Sequence, residues 1–193
     1  LDRAHLIAAW IRWFSGPKGG RGLPPHTTSA SLQPDASQVL PFAQPALELL
    51  KTGAPAVRLY TATLLYKIAT RCGPCQETAA IPDQLLDIAA NEREPLALRV
   101  AAAENAGLIG AAWKQPTVHR RLLVIARDSN DIRLQRWILS SLTFGGVRSG
   151  MGREGVDAIL DFAASLLEHP QANAYEIRRP QTDPVTGLYI RDP

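Results

Sequence analysis

Cysteine is nearly missing: two residues in a chain of 193. A small domain held together by a disulfide framework is therefore excluded. Aromatic residues make up only 6%, while alanine is plentiful, which points to closely packed helices rather than a sheet. Long apolar runs are absent as well. None approaches the roughly 18–20 residues that span a bilayer, so a membrane partner is not expected. The opening stretch LDRAHLIAAWIRWF is interrupted by Asp2, Arg3 and His5. It lacks the long apolar core and small-residue cleavage site of a signal peptide. The first residue is Leu1 rather than Met, which suggests a piece of something longer, with a cytoplasmic location as the default expectation.

What is present is a core-forming composition: 46% hydrophobic and 20% charged residues. That suits one domain or one short repeat array. Residues Asp2–Phe14 read as a helix, with Asp2 as N-cap and Leu6, Ile7, Trp10, Ile11 and Phe14 on one face. Residues 15–38 are rich in Gly, Pro and Ser and read as a flexible loop. From Val39 to Pro170 successive helical segments follow. Pro82 and Pro116 suit first helical turns, and Asn130 and Asp131 signal a cap. On PLALRVAAAENAGLIGAAW the apolar stripe is Leu98, Ala101, Ala102, Asn105, Leu108 and Ile109. Residues 171–193 carry Tyr175, Ile177, Leu188, Tyr189 and Ile190 around a Pro- and Gly-containing turn. That tail is compatible with a small hairpin, an extended tail lying on the helices, or a linker to a following domain.

Three segments share one order: LLKTGAPAVRLYTATLLYKIA, LLDIAANEREPLALRVAAAENAGLIG and LLVIARDSNDIRLQRWILSSLTFG. Each has a Leu-Leu pair in a first helix, a polar turn, an apolar residue followed by Arg, and a second helix. The pairs Val57-Arg58, Leu98-Arg99 and Ile132-Arg133 are spaced by 41 and then 34 residues, near the period of helical-pair repeats. This pattern resembles HEAT or armadillo-type repeats over Pro45 to Pro170, with Asp128 and Arg133 matching that family's turn Asp and helix Arg. The other turns carry Lys51-Thr52 and Asn91-Glu92. The resemblance implies an all-α fold, a short α-solenoid of antiparallel helix pairs stacked as a superhelix. It also implies a binding role with no chemistry of its own. Arg58, Arg99 and Arg133, recurring at equivalent positions, are assigned to the structure between repeats.

Candidate chemistry is thin. Cys72-Gly73-Pro74-Cys75 has the spacing of a redox quartet, but a thioredoxin-like motif sits between a strand and a helix. Here it follows a helical pattern: Gly73 can end that helix with positive φ and Pro74 can block its continuation. Cys72, on the apolar stripe, reads as a small core residue. Two thiols supply half of a structural zinc site, and His5, His26, His119 and His169 lack paired spacing, so no metal or other cofactor is expected. Neither SGPKGGRG nor TFGGVRSGMGREG ends in the Gly-Lys-Ser/Thr of a nucleotide cradle. The second reads more simply as a loop between helices, though its N–H groups could meet an anion.

Charge is uneven. From Lys114 to Arg136 six basic residues face two acidic ones, a net of +4, leaving about −1 elsewhere. The plainer reading is a solvated helix face. The functional reading is a strip that attracts an acidic partner. The expected function is a non-catalytic protein–protein interaction scaffold or adaptor. An acidic protein segment is the expected partner, and Arg120, Arg121, Arg127 and Arg136 are the expected contact residues. The alternative is nucleic-acid binding by the same strip, including a base-excising repair enzyme. That enzyme would need a carboxylate beside aromatics, for which Asp131, Arg136, Trp113 and Trp137 are the candidates.

Overall fold

The computed structural model describes residues 35–170 and two short strands at 181–182 and 189–190. The expected helix over 1–14 and most of the expected loop over 15–38 lie outside the described residues. A short helix α1 (Ala36–Val39) opens the described part, three residues before the expected start at Val39. The Asp35 N–H donates to the Gln38 side chain at 2.9 Å. A 3₁₀ turn with Pro41 leads into α2 (Ala43–Thr52). Then come α3 (Pro55–Cys72), α4 (Ile81–Ala90), α5 (Leu96–Ala112), α6 (Pro116–Asp128), α7 (Ile132–Ser149) and α8 (Gly152–Leu167).

Helix boundaries follow local chemistry. Pro55 and Pro116 occupy first helical positions, and Pro82 a second, where a missing N–H costs nothing. Gly73 ends α3 at φ 73°, and Gly150 ends α7 in the left-handed region at φ 84°. The Asp131 carboxylate caps α7 by accepting the Arg133 N–H at 2.9 Å. α5 ends differently. Lys114 is the one non-glycine residue with positive φ, at 54°, among the described residues. The Gln115 N–H donates back to the Gly110 carbonyl at 2.8 Å, closing the helix end as a Schellman turn.

The described body is all helical. α2 packs on α3, α4 on α5 and α6 on α7, each across a short connection. Across the pairs, α3 packs on α5 and α5 on α7, while α4 packs on α6 and α6 on α8. α5 therefore has neighbours on four sides, and eleven of its residues are buried. Leu108, expected on its buried stripe, is 42% exposed instead. Surrounded so fully, α5 leaves one narrow outward strip, and Leu108 falls on it. The core runs through the stack on residues such as Leu50, Leu65, Ile68, Leu86, Ile109, Leu122 and Leu134.

The stretch TFGGVRSGMGREG is not a loop throughout. α7 continues through Gly145 and Gly146 to Ser149. A Cβ at Gly145 would overlap the His119 ring, and one at Gly146 would lie 3.0 Å from Ile159 Cδ1. Close helix approach outweighs glycine's low helix propensity here. Further along, β1 (Gln181–Thr182) and β2 (Tyr189–Ile190) pair antiparallel, Gln181 opposite Ile190 and Thr182 opposite Tyr189.

Candidate interaction surface

Three of the four predicted contact residues share α6. Its buried face carries Val118, His119, Leu122, Leu123 and Ala126. The 3.6-residue period then turns Arg120, Arg121, Val124 and Arg127 outward, and all four are exposed. Val124 stands at 56% exposure among these arginines. The arginines differ in what they hold. Arg121 bridges to α4, with Nη1 donating to Asp83 Oδ1 at 2.7 Å and Nη2 to Asp87 Oδ1 at 2.9 Å. Arg127 Nη2 donates to the Ala158 carbonyl of α8 at 3.1 Å. Arg120 makes no hydrogen bond or ion pair with any described residue and points its charge to solvent. Arg136 is half-buried on α7, in the other row of helices. The +4 strip of the sequence therefore divides between two helices, and part of it is neutralised by α4.

The arginines assigned to structure follow a register that sequence spacing misplaces. Arg58 Nε donates to the Leu50 carbonyl in the last turn of α2 at 2.6 Å. Its guanidinium also meets Glu94, in the α4–α5 turn, through two contacts of 2.7 Å. Arg99 Nε donates to the Ala89 carbonyl at the end of α4 at 3.0 Å. Both arginines are the fourth residue of a second helix. The fourth residue of α7 is Gln135, whose Nε2 donates to the Ser129 carbonyl at the end of α6 at 2.7 Å. Gln135 is thus the positional equivalent of Arg58 and Arg99. Arg133 instead clamps the Asp131 cap through Nε at 3.0 Å and Nη2 at 2.9 Å. These contacts hold the Asp131 carboxyl below its usual range, against the opposing effect of burial. That carboxylate is committed to the cap. Of the aromatics weighed with it, Trp113 donates its ring N–H to the Ala69 carbonyl at 3.1 Å, and Trp137 packs partly buried against the core.

The Cys72 and Cys75 thiols are both free. Cys72 is half-buried, its Sγ donating to the Ala36 carbonyl at 3.5 Å. Thr78, fully buried, organises the turn after α3. Its hydroxyl accepts the Cys75 N–H at 3.0 Å and donates to the Gly73 carbonyl at 2.7 Å. Burial, then the neighbouring Cys75, pushes the Cys72 thiol up from its ordinary value. A redox nucleophile needs the opposite shift.

Two further features escaped the sequence reading. His119 is fully buried, and neither ring nitrogen has a hydrogen-bond partner. It sits where Gly110 of α5 and Gly145 of α7 leave room for the ring. Burial pushes its pKa below the ordinary value, and the Gln115 carbonyl opposes that shift without reaching hydrogen-bond geometry. Its one sequence signal was glycines on both flanking helices. The second feature is a half-open cleft of about 300 Å³ lined by Arg127, Gln135, Asp161, Phe162, Ser165, Leu166 and His169. It lies where α8 meets the α6–α7 corner and draws on residues from three helices.

Among the described residues no three His, Cys, Asp or Glu side chains gather as a metal site, and no helix is long and apolar enough to cross a membrane. Compared with known protein families, curated proteins and solved structures, the chain matches none.

Proposed function

We propose that this chain is a non-catalytic interaction module, a short α-solenoid of the HEAT-like type that serves as a scaffold or adaptor. The order of helix contacts supports the solenoid reading. Second helices α3, α5 and α7 follow one another, as do first helices α4, α6 and α8, so each pair leans on its neighbours. The observation that carries the binding reading is the outer face of α6. There the exposed Val124 lies among Arg120, Arg121 and Arg127, with Arg120 unengaged by any described residue. An apolar centre with a cationic rim suits an acidic protein segment that also carries an apolar side chain.

The test uses a panel of Asp/Glu-rich peptides containing one leucine, with a DNA duplex of equal charge as the competing ligand. Replacing Arg120 by Glu and Val124 by Asp leaves the Arg121 bridges in place. The reading expects peptide binding that this double variant loses. Binding of the duplex alone, with affinity falling steeply as salt rises, would transfer the face to nucleic acid.

A further inference from the structure

Arg58 and Arg99 stand at the same place in successive helix pairs, yet only Arg58 is matched by an anion. Each is the fourth residue of a second helix. Each anchors its Nε on a carbonyl near the end of the preceding first helix, Leu50 for Arg58 and Ala89 for Arg99. That anchor leaves Nη1 and Nη2 as a two-pronged fork. The Arg58 fork is filled: its two prongs donate to the two carboxylate oxygens of Glu94 at 2.7 Å each. Glu94 lies two residues before α5, in the turn of the next pair. The matching position, two residues before α7, is Asn130, which is exposed and carries no charge. Asp131 beside it is already clamped by Arg133.

Arg99 is only 6% exposed. Beyond the Ala89 carbonyl it makes no hydrogen bond or ion pair with any described residue. A guanidinium buried without a counter-charge is costly, so an anion that reaches it is held strongly. Neither Nη is among the sealed, unpartnered nitrogens of the described residues, so the fork opens to solvent. Its shape selects the anion. Two parallel N–H groups match the two oxygens of one carboxylate, as Arg58 does with Glu94.

We propose that Arg99 is a carboxylate-binding site, filled by a Glu or Asp side chain of the acidic partner segment. That side chain supplies the carboxylate that Asn130 does not. The inference rests on the acidic-partner reading above and gives that partner a second anchor, on α5 rather than α6.

Calorimetric titration of the full chain with the leucine-containing acidic peptides tests this, with sodium glutarate as the free carboxylate. Arg99→Gln removes the fork but keeps the carbonyl anchor, as Gln135 does at the same position of α7. Its helical circular dichroism should be unchanged, and its Kd for peptide should rise at least about tenfold. Asn130→Glu restores an internal carboxylate. It should raise the melting temperature, a rise that vanishes when Arg99→Gln is added, and it should weaken peptide binding. Peptide binding that Arg99→Gln leaves intact overturns the proposal. So does glutarate binding through Arg99 without peptide binding, or an Asn130→Glu variant that melts no higher than wild type. The two anchors fail separately. Binding lost in the Arg120 and Val124 double variant but kept in Arg99→Gln leaves the α6 face and ends this inference. The opposite pattern leaves Arg99 and ends the α6 reading.

Discussion

Arg58 of α3 and Glu94 of the α4–α5 turn, 36 residues apart in sequence, meet through two contacts of 2.7 Å. The same guanidinium holds the end of α2 through the Leu50 carbonyl. One side chain therefore ties together both helices of its own pair and the turn of the next. The forked geometry and partial burial raise this pair above the usual surface ion pair.

Replacing Glu94 by Gln should cost about 1–2 kcal/mol of unfolding free energy. The Arg58 hydrogen bonds, opposed by partial burial, hold the Glu94 carboxyl below its ordinary 4.5. Its contribution is complete above that value and is lost as pH falls through the lower folded-state value. Urea denaturation at neutral pH and at about pH 3 measures both. The difference between wild type and Glu94→Gln should shrink in acid.

His119 also lowers stability in acid, beginning at a higher pH than Glu94 does. Its folded-state pKa is below the ordinary 6.5 because burial disfavours the charged ring. The unfolded chain therefore takes up its proton first as pH falls, and stability drops below 6.5 until the folded value is passed. Denaturation between about pH 7 and pH 5 should show that decline. In His119→Phe, which keeps a flat ring and removes the titration, the slope over that interval should flatten. An unchanged slope assigns the acid sensitivity elsewhere.

Lys114 holds a left-handed conformation at φ 54° to close α5. A side chain there costs about 1–2 kcal/mol, part of which glycine recovers after its own entropy loss. Lys114→Gly should stabilise the protein by about 0.5–1 kcal/mol. Thermal unfolding at fixed pH gives the sign directly.

Cys72 should behave as an unactivated thiol. Cys72 is half-buried, with its pKa raised by burial and then by Cys75. At neutral pH it should react with a disulfide reagent no faster than free glutathione. Faster reaction would reopen the redox reading of the quartet.

Much of the helical framework was legible because prolines, glycines and one aspartate act locally. Pro55, Pro82 and Pro116 mark starts, Gly73 an end, and Asp131 a cap. Matching apolar-Arg pairs went wrong at Arg133, because Gln135 can make the same carbonyl contact with a different side chain. Gly145 and Gly146 read as a loop because their value lies in how closely α6 and α8 approach, which composition does not reveal. The arginines of α6 were legible as one face. That Arg121 is neutralised by Asp83 and Asp87 was not, because those partners lie 38 and 34 residues away. His119 looked solitary for the same reason: its surroundings come from three helices.

The central claim is that the outer face of α6 is a binding surface carried by a stack of helix pairs. Hydrogen–deuterium exchange of the full chain, with and without a saturating acidic peptide, tests it most directly. The account predicts added protection over residues 116–128 and little change around Cys72–Thr78. Protection confined to the Cys72–Thr78 turn or to the cleft beneath His169, with residues 116–128 unchanged, would contradict it.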